Sequence, residues 1–254
     1  MRYVIVDDDA AYRESHQRWL LDPSLLPSGG RGEGQGIESC DALTFEEALA
    51  LQSRWLHYDV AVVDGMDRRS DAKRQAAATQ ADVPYRSYQR LLGVDVVLAA
   101  KEHHPKLLVI VTSTVVKINI YFARQMRGAG AEYVFSHDEI EEPADFVSRV
   151  CQPQRYAQRR VPGIEDRRLA QIPQLLADAD PAARSQLLGA PARQFRGAQR
   201  RKTDRLTSQL REAFSLPEPG GPHRTHRQRI VPELRRLLGL SHEAFDTSPE
   251  DPYG

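Results

Sequence analysis

Cysteine and long apolar runs are scarce in this sequence of 254 residues. The 2 cysteines, Cys40 and Cys151, fit neither the spacing of metal ligands nor a disulfide framework. No apolar stretch approaches the roughly 20 residues that span a bilayer, and the first apolar run stops at Asp7 without the pattern of a secretory leader. These features argue against a disulfide-rich secreted scaffold and a membrane protein, and they favour the reducing cytoplasm.

The chain also has no net charge, because its 35 basic residues balance its 35 acidic ones. The balance does not hold locally. Residues 1–150 contain 17 basic and 23 acidic side chains, whereas residues 151–241 contain 18 basic and 8 acidic ones. The second half could therefore bind an anion such as a nucleic acid, although a solvated arginine-rich surface would have the same composition.

Three apolar runs in the first half are each followed by polar side chains. The runs at 3–6, 60–63 and 107–111 lead into Asp7-Asp8-Asp9, Asp64 and Thr112-Ser113, respectively. Acids crowded at the end of a buried strand repel one another, and a divalent cation would hold them there because it prefers hard oxygen ligands. The alternative is that these acids are solvated capping residues, since Asp9 could cap a helix that begins at Ala10.

Strand and helix patterns alternate along residues 1–150. Strands are predicted at 3–7, 37–40, 59–64, 107–113 and 132–136, with helical periodicity between them. Thr44 and Glu47 predict a capping box at the start of the second helix. The alternation predicts an α/β fold with a doubly wound, five-stranded parallel sheet, whose functional crevice lies at the carboxyl ends of the strands.

The order of these strand ends, with two acids, then one acid, then a threonine, resembles the receiver domain of bacterial response regulators. The resemblance covers residues 1–150 and includes the stretch 130–135, which is similar to the family's entry into its fifth strand. It implies a receiver or flavodoxin-like fold and a switch rather than an enzyme. It also implies a histidine kinase or another signalling protein as a partner.

The resemblance further implies a magnesium site and a phosphoryl acceptor. Asp7 and Asp8 match the family's acid pair, and Asp64 matches the aspartate that accepts the phosphoryl group. The backbone carbonyl of Met66 matches the remaining protein ligand. These groups suit Mg²⁺, which takes octahedral oxygen coordination and keeps several waters.

Two other positions match the family's switch. Thr112 matches the hydroxyl that binds the phosphoryl group in the active state, and Tyr133 matches the aromatic residue that then turns inward. The resemblance therefore implies that phosphorylation of Asp64 changes the face made by the fourth helix and the fifth strand. That face would form a homodimer or release the output domain.

Some features depart from the family pattern. Ser136 and His137 stand where the family has a lysine that contacts the phosphoryl group and a proline. The polar insertion 67–86 after the acceptor and the loop 22–36 are both enlarged. The sequence leaves open whether the domain is phosphorylated or degenerate. A substitute cation could come from Arg68, Arg69, Lys73 or protonated His137.

The strand signal disappears after residue 150. We expect a linker at 151–163, a smaller all-helical, basic output domain at 164–246 whose first helix spans 165–177, and a frayed tail at 247–254. Residues 193–236 carry 12 basic against 4 acidic side chains and could neutralise DNA phosphates. The arginines that cluster on one predicted helix are Arg196, Arg200, Arg201 and Arg205. The core stripe predicted for the same helix is Phe195, Leu206, Leu210 and Phe214.

Three functions are compatible with these patterns. The first is an atypical response regulator, a cytoplasmic switch with a phospho-accepting Asp64 and an output domain that binds DNA to regulate transcription. The second is a degenerate, phosphorylation-independent receiver that acts as a signalling adaptor, with helices that contact protein. The third is a phosphatase-like hydrolase with Asp64 as nucleophile, but Met66 occupies the position where such an enzyme needs a second acid.

Overall fold

A computed structural model describes residues 1–27, 36–66, 69, 71–83, 92–114, 116, 120–159, 161–188, 197–214, 216 and 234. No helix in these ranges combines the length and the apolar character that crossing a bilayer requires.

Five parallel strands form one sheet in the order β2-β1-β3-β4-β5. The strands are β1 Arg2–Val6, β2 Ser39–Leu43, β3 Val60–Asp64, β4 Leu108–Thr112 and β5 Tyr133–Phe135. This is the strand order of flavodoxin-like doubly wound sheets. The predicted α/β fold with a five-stranded parallel sheet is therefore confirmed.

Helices connect the strands and continue beyond the sheet. Those around the sheet are α1 Ala10–Leu21, α2 Phe45–Leu49, α3 Asp71–Gln80, α4 Leu92–His103, α5 Ile120–Ala129, α6 Pro143–Cys151 and α7 Ile164–Ala170. Later helices are α8 Ile172–Asp178, α9 Pro181–Leu188 and α10 Gly197–Ala213. Short 3-10 helices span Gln52–His57, His137–Glu139 and Pro153–Arg155.

The first two helices begin at the capping residues predicted from sequence. Asp9 accepts hydrogen bonds from the backbone N–H groups of Ala11 and Tyr12 and so caps α1. Thr44 and Glu47 form a capping box at the start of α2, in which each side chain accepts from the other residue's backbone N–H.

Both faces of the sheet are buried, as expected for parallel strands covered by helices. Because side chains alternate along a strand, Tyr3 and Ile5 point to one face and Val4 and Val6 to the other. The first face shares one core cluster with side chains of α1 and α6, namely Leu20, Phe146, Val147 and Val150. All four of the β1 side chains named here are 3% exposed or less.

Three elements differ from the sequence-based expectations. Helix α3 lies in the insertion, where the polar sequence gave no sign of a helix. Strand β2 begins at Ser39, two residues later than predicted, because it pairs in register with β1 from Arg2 onward. The helix predicted at 165–177 is interrupted at Gln171, since Pro173 in the first turn of α8 lacks the N–H that a continuous helix would use.

Helix α7 packs so closely on α5 that a Cβ on Gly128 would lie 1.8 Å from the carbonyl oxygen of Asp166. Nε of Arg124 in α5 donates to Asp166 at 2.8 Å. The helix accordingly belongs to the first of two compact units, which spans Met1–Ala170. The sequence instead suggested a boundary at 164, because the strand signal had already ended.

Two glycines allow close packing at the carboxyl end of β3. A Cβ on Gly93, in the first turn of α4, would lie 2.4 Å from the carbonyl oxygen of Asp64 and 2.8 Å from the Cα of Gly65. A Cβ on Gly65 would lie 1.9 Å from the ring of Phe122 in α5. Contacts this short are not found for real Cβ atoms, so any side chain here would push the helices away from the strand end.

We predict that Gly93→Ala destabilises the protein. Alanine normally stabilises a helix by about 0.5–1 kcal/mol relative to glycine, but here its methyl group collides with the backbone of β3. Overpacking of this kind costs about 1–3 kcal/mol, so the free energy of unfolding in urea should fall. Gly36→Ala is the matched control, because no heavy atom lies within 4 Å of a Cβ at that position. A higher urea midpoint for Gly93→Ala would contradict the close packing.

A buried histidine completes the packing between α1 and α6. The ring of His16 is stacked on Phe146 at 4.0 Å between centroids and 10° between planes. Its side chain is 4% exposed. Burial, assisted by the nearby His137, lowers the pKa of His16 from 6.5 to about 4. His16 is therefore neutral in the folded protein at neutral pH.

We predict that the contribution of His16 to stability falls between pH 7.5 and pH 5. His16 takes up a proton near pH 6.5 in the unfolded chain but only near pH 4 in the folded one, so acidification favours unfolding through this window. Asp7, whose pKa is raised to about 6 in the folded protein, acts in the opposite direction over the same range. The expected loss from His16 alone is about 2 kcal/mol at pH 5, measured by urea unfolding as the difference between the pH profiles of the wild type and His16→Phe. His16→Phe should remove this part of the pH dependence, whereas the exposed His103→Gln should keep it. An unchanged pH profile in His16→Phe would rule out His16 as its source.

Candidate functional site

The strand order reverses at the centre of the sheet. From β1 the chain crosses to β2 on one side and then to β3 on the other. In open α/β sheets, such a reversal opens a crevice outside the carboxyl ends of the two central strands. Asp7 and Asp8 directly follow β1, and Asp64 is the last residue of β3.

The structure brings these predicted acids together. Each of Asp7, Asp8 and Asp64 offers a carboxylate oxygen that lies within 4.8 Å of the other two. We call these residues the acid cluster. Asp7 is 4% exposed and Asp64 is 9% exposed, whereas Asp8 is half-buried, so solvent reaches the cluster mainly from the side of Asp8.

The local backbone fixes the two most buried carboxylates. Oδ1 of Asp7 accepts from the N–H of Asp9 at 2.8 Å, and Oδ1 of Asp64 accepts from the N–H of Gly65 at 2.6 Å. Nη1 of Arg13 in α1 donates to the backbone carbonyl of Asp7 at 2.6 Å. These bonds hold the carboxylates in place although they carry like charges.

Burial, together with the nearby Asp8, raises the pKa of Asp7 from 3.8 to about 6. The N–H of Asp9 and the guanidinium of Arg13 act in the opposite direction and keep the increase smaller than it would otherwise be. A raised pKa means that the negative charge of Asp7 is poorly stabilised by the protein alone. A proton or a cation bound beside Asp7 would relieve this electrostatic cost.

The donor set fits Mg²⁺. Ligand oxygens lie about 2.1 Å from this ion, so two ligands are about 3 Å apart when adjacent and about 4 Å apart when opposite. Carboxylate oxygens within 4.8 Å of one another need only small rotations to reach these separations. Met66, whose carbonyl is the other predicted ligand, lies buried two residues beyond Asp64.

A hydroxyl group lies beside the acid cluster on the next strand. Thr112 ends β4, pairs in register with Asp64 and is 3% exposed. The following residue, Ser113, is also buried, and its N–H donates to the carbonyl of Phe135 at 3.1 Å. The edge of the sheet therefore presents Thr112 next to Asp64, as the sequence suggested.

Tyr133 and Ser136 lie at opposite ends of β5. Tyr133 is buried at the start of the strand, and its ring is parallel to that of Phe135, with the centroids 6.3 Å apart. Phe135, and not Tyr133, is the register partner of Thr112. Ser136 directly follows the strand and is 1% exposed, and its hydroxyl has no hydrogen-bond partner among the described residues.

The suggested substitute cations lie in different surroundings. Lys73 is exposed on α3, and Arg68 lies outside the described residues. The ring of His137 lies among the rings of α1, 6.0 Å from Tyr12 and 6.2 Å from His16. Arg69 forms an ion pair with Glu46 at 2.7 Å.

The Arg69–Glu46 pair was not predicted, although Arg69 had been named as a candidate cation. The sequence gave one indirect signal, which is an acid in the first turn of α2 directly after a strand. The prediction at this helix start named only Thr44 and Glu47, as a capping box. Pairing with Arg69 depends on the path of the insertion, and its polar sequence has no periodicity that would reveal that path.

The four predicted DNA-binding arginines are only partly described. Arg201 and Arg205 lie one turn apart on α10, and both are exposed. Arg196 lies outside the described residues, and of Arg200 only the backbone is described. The opposite side of α10 buries Leu206, Leu210 and Phe214, which confirms this part of the predicted core stripe. Phe195 lies outside the described residues.

Comparison with known proteins assigns no family to the chain. No family model and no curated protein matches it. Among solved structures, it aligns with full-length FixJ from B. japonicum at 14% identity and a TM-score of 0.31, over 94% of this chain and 98% of that one. A TM-score this low carries no argument about either fold or function. The fold assignment rests on the parallel pairing and the order of the strands.

Proposed function

We propose that the chain is an atypical response regulator, a signalling switch in which Asp64 accepts a phosphoryl group. The observation that carries this proposal is the acid cluster at the β1/β3 crevice, with Thr112 in register beside Asp64. Phosphoryl transfer to a carboxylate needs a nucleophile, a divalent cation and a nearby hydrogen-bond donor. The crevice supplies residues suited to each of these needs.

In this proposal the phosphoryl donor is a phosphohistidine of a histidine kinase or a small acyl phosphate. A carboxylate oxygen of Asp64 attacks phosphorus, an acyl phosphate forms, and the bond between phosphorus and the donor breaks so that the donor leaves. Mg²⁺, held by the acid cluster and the carbonyl of Met66, would neutralise charge on the phosphoryl oxygens. The hydroxyl of Thr112 would then donate to the phosphoryl group.

The response is proposed to be a shift between two states of the first unit. Engagement of Thr112 would let Tyr133 turn inward and change the face made by α5 and β5. That face would form a homodimer or act on the helical region that follows. The chain would work in the cytoplasm as a switch and not as an enzyme.

The basic helical region is proposed to bind DNA and regulate transcription. The exposed arginines Arg201 and Arg205 lie on the side of α10 opposite its buried stripe. Arginine side chains in this arrangement can neutralise backbone phosphates without disturbing the helix core. Arg196 and Arg200 remain part of the proposed contact surface on sequence grounds.

One observation favours a second candidate, a degenerate receiver that acts as a protein–protein adaptor. Ser136 follows β5 where the receiver pattern has a lysine, and its buried hydroxyl cannot supply a positive charge. The loss of one charge-assisted hydrogen bond weakens phosphate binding by about 1–3 kcal/mol. Phosphorylation of Asp64 and a phosphorylation-independent adaptor function therefore predict different experimental results.

We predict that a small phosphodonor with Mg²⁺ adds one phosphate to the wild-type chain and none to Asp64→Asn. The amide lacks the nucleophilic oxygen, and chelation of Mg²⁺ by EDTA should prevent the reaction in the wild type. Intact-protein mass spectrometry measures the product. Asp145→Asn, an acid on α6 outside the acid cluster, is the matched control and should be modified normally. An unmodified wild type would favour the adaptor.

We predict that the wild-type chain shifts a generic duplex DNA in a gel at low salt. The double variant Arg201→Ala, Arg205→Ala should bind more weakly, and its salt dependence should fall by about two phosphate contacts. Arg167→Ala with Arg168→Ala removes the same charge from exposed positions of α7 and should bind like the wild type. Absence of any shift at low salt would count against DNA binding and for the adaptor.

A further inference from the structure

Helix α5 contacts the residue that follows the proposed phosphoryl acceptor. A Cβ on Gly65 would lie 1.9 Å from Cζ and 2.6 Å from Cε2 of Phe122, so the tip of this ring rests directly on the glycine backbone. The ring is fully buried. The N–H of Gly65 donates to Oδ1 of Asp64 at 2.6 Å. Phe122 therefore packs against the residue that holds the Asp64 carboxylate in place.

The same helix binds α7 with a different side. Residues four apart lie above one another on a helix, so Phe122 and Met126, both fully buried, share one side, and Arg124 and Gly128 share another. Nε of Arg124 donates to Asp166 of α7 at 2.8 Å. Gly128 allows the backbone of Asp166 to come close. Helix α5 thus lies between the carboxyl end of β3 and α7.

Hydrogen bonds give the contact between α5 and α7 a specific geometry. Nε2 of Gln125 donates to the carbonyl of Leu169 at 3.3 Å, and both residues are buried. Nη2 of Arg124 donates to Glu165. The carboxylate of Asp166 also accepts from the N–H of Gly163 at 3.0 Å, directly before α7 begins. A shift of α5 would therefore be resisted by several directional bonds to α7.

Binding of a cation would change the first of these contacts. Oxygens of the acid cluster that lie within 4.8 Å of one another must approach further to share one Mg²⁺. Rotation of the Asp64 carboxylate changes its bond to the N–H of Gly65. Because protein interiors are close-packed, Gly65 cannot adjust toward α5 without displacing the ring of Phe122. The position of α5 and the geometry of the cation site therefore depend on each other.

We infer that α7 is a regulatory element of the crevice, because attachment of α7 to α5 and binding of a divalent cation by the acid cluster favour each other through Phe122. The inference rests on the proposed function, in which that cation assists phosphoryl transfer. Attached α7 keeps α5, and with it Phe122, against Gly65, so that Asp64 stays aligned with Asp7 and Asp8. Loss of the attachment would cost the site this alignment.

Binding of Mn²⁺ by the full-length chain, followed by the electron paramagnetic resonance of the free ion, tests the coupling without phosphorylation. Gly128→Ala favours the helical state of α5, but its methyl group would lie 1.8 Å from the carbonyl oxygen of Asp166. We expect Mn²⁺ affinity to fall at least about fivefold, the lower end of typical allosteric coupling. Gly163→Ala is the matched control, since the nearest atom to its Cβ is 3.7 Å away. Equal affinity in Gly128→Ala and the wild type would overturn the inference.

A milder variant guards against a folding defect. Asp166→Asn removes only the charge that Arg124 contacts, from a side chain that is 19% exposed, and should lower Mn²⁺ affinity in the same direction. Its urea midpoint shows whether the chain still folds. A folded Asp166→Asn that binds Mn²⁺ as tightly as the wild type would count against the coupling.

A double-mutant cycle tests the role of Phe122. The side chain in Phe122→Leu is too short to fill the place of the ring tip on Gly65, so the link between the crevice and α7 should be lost. In this background Gly128→Ala should change Mn²⁺ affinity less than twofold. If Gly128→Ala weakens binding by the same factor with leucine as with phenylalanine, the two sites are independent and Phe122 does not couple them.

Thermodynamic linkage supplies a reciprocal measurement. If α7 attachment strengthens Mn²⁺ binding, Mn²⁺ must strengthen α7 attachment by the same factor. Saturating Mn²⁺ should therefore slow amide hydrogen exchange in α7 of the wild type, measured by mass spectrometry of the peptide that covers 164–170. Asp8→Asn, which weakens the acid cluster, should show less slowing at the same Mn²⁺ concentration. Exchange in α7 that ignores Mn²⁺ in the wild type would contradict the inference.

The outcomes separate this inference from the proposed function. If the wild type binds Mn²⁺ but accepts no phosphate, the proposed function fails, and the affinities still decide whether α7 is coupled to the crevice. If the wild type is phosphorylated and Gly128→Ala binds Mn²⁺ equally well, the function stands and the inference is wrong. A wild type that binds no Mn²⁺ would contradict both.

Discussion

Mutual repulsion among three carboxylates is the constraint on which the first unit depends. The parallel sheet ends β1 and β3 side by side, so that oxygens of Asp7, Asp8 and Asp64 lie within 4.8 Å of one another. Burial makes this arrangement more costly, since it raises the pKa of Asp7 to about 6. If the charges of these acids had no function, replacing one of the acids would make the fold more stable.

The surroundings of the acid cluster combine rigidity with positive charge. Gly65 and Gly93 let helices α5 and α4 pack directly against the end of β3, beside Asp64. Arg13 binds the carbonyl of Asp7 and lowers the pKa of that residue, and Arg69 is paired with the buried Glu46. The carboxylates are thus held by local hydrogen bonds and tight packing, and Arg13 of α1 partly offsets their charge.

The acid cluster could be predicted from sequence because its members directly follow apolar runs, and parallel strands bring such ends to one edge. The Arg69–Glu46 pair could not be, since a polar segment carries no periodic signal of where it packs. Helix α3 was missed for the same reason. Edge strand β2 was predicted to start two residues and to end three residues too early because its sequence, Ser39–Leu43, has little apolar character. Tyr133 was correctly assigned to β5, but only the register shows that Phe135 pairs with Thr112.

The contact between α5 and α7 has a mechanical consequence. Gly128 has no side chain to keep the two backbones apart, and Arg124 donates a hydrogen bond to Asp166. The two helices should therefore move together as one rigid body. This rigid pair of helices begins soon after the strand that ends in Thr112, and it ends at Ala170. The peptide bond to Gln171 then tethers it to the second unit. A displacement of α5 relative to the sheet would therefore be passed on to Ala170, the last residue of the first unit.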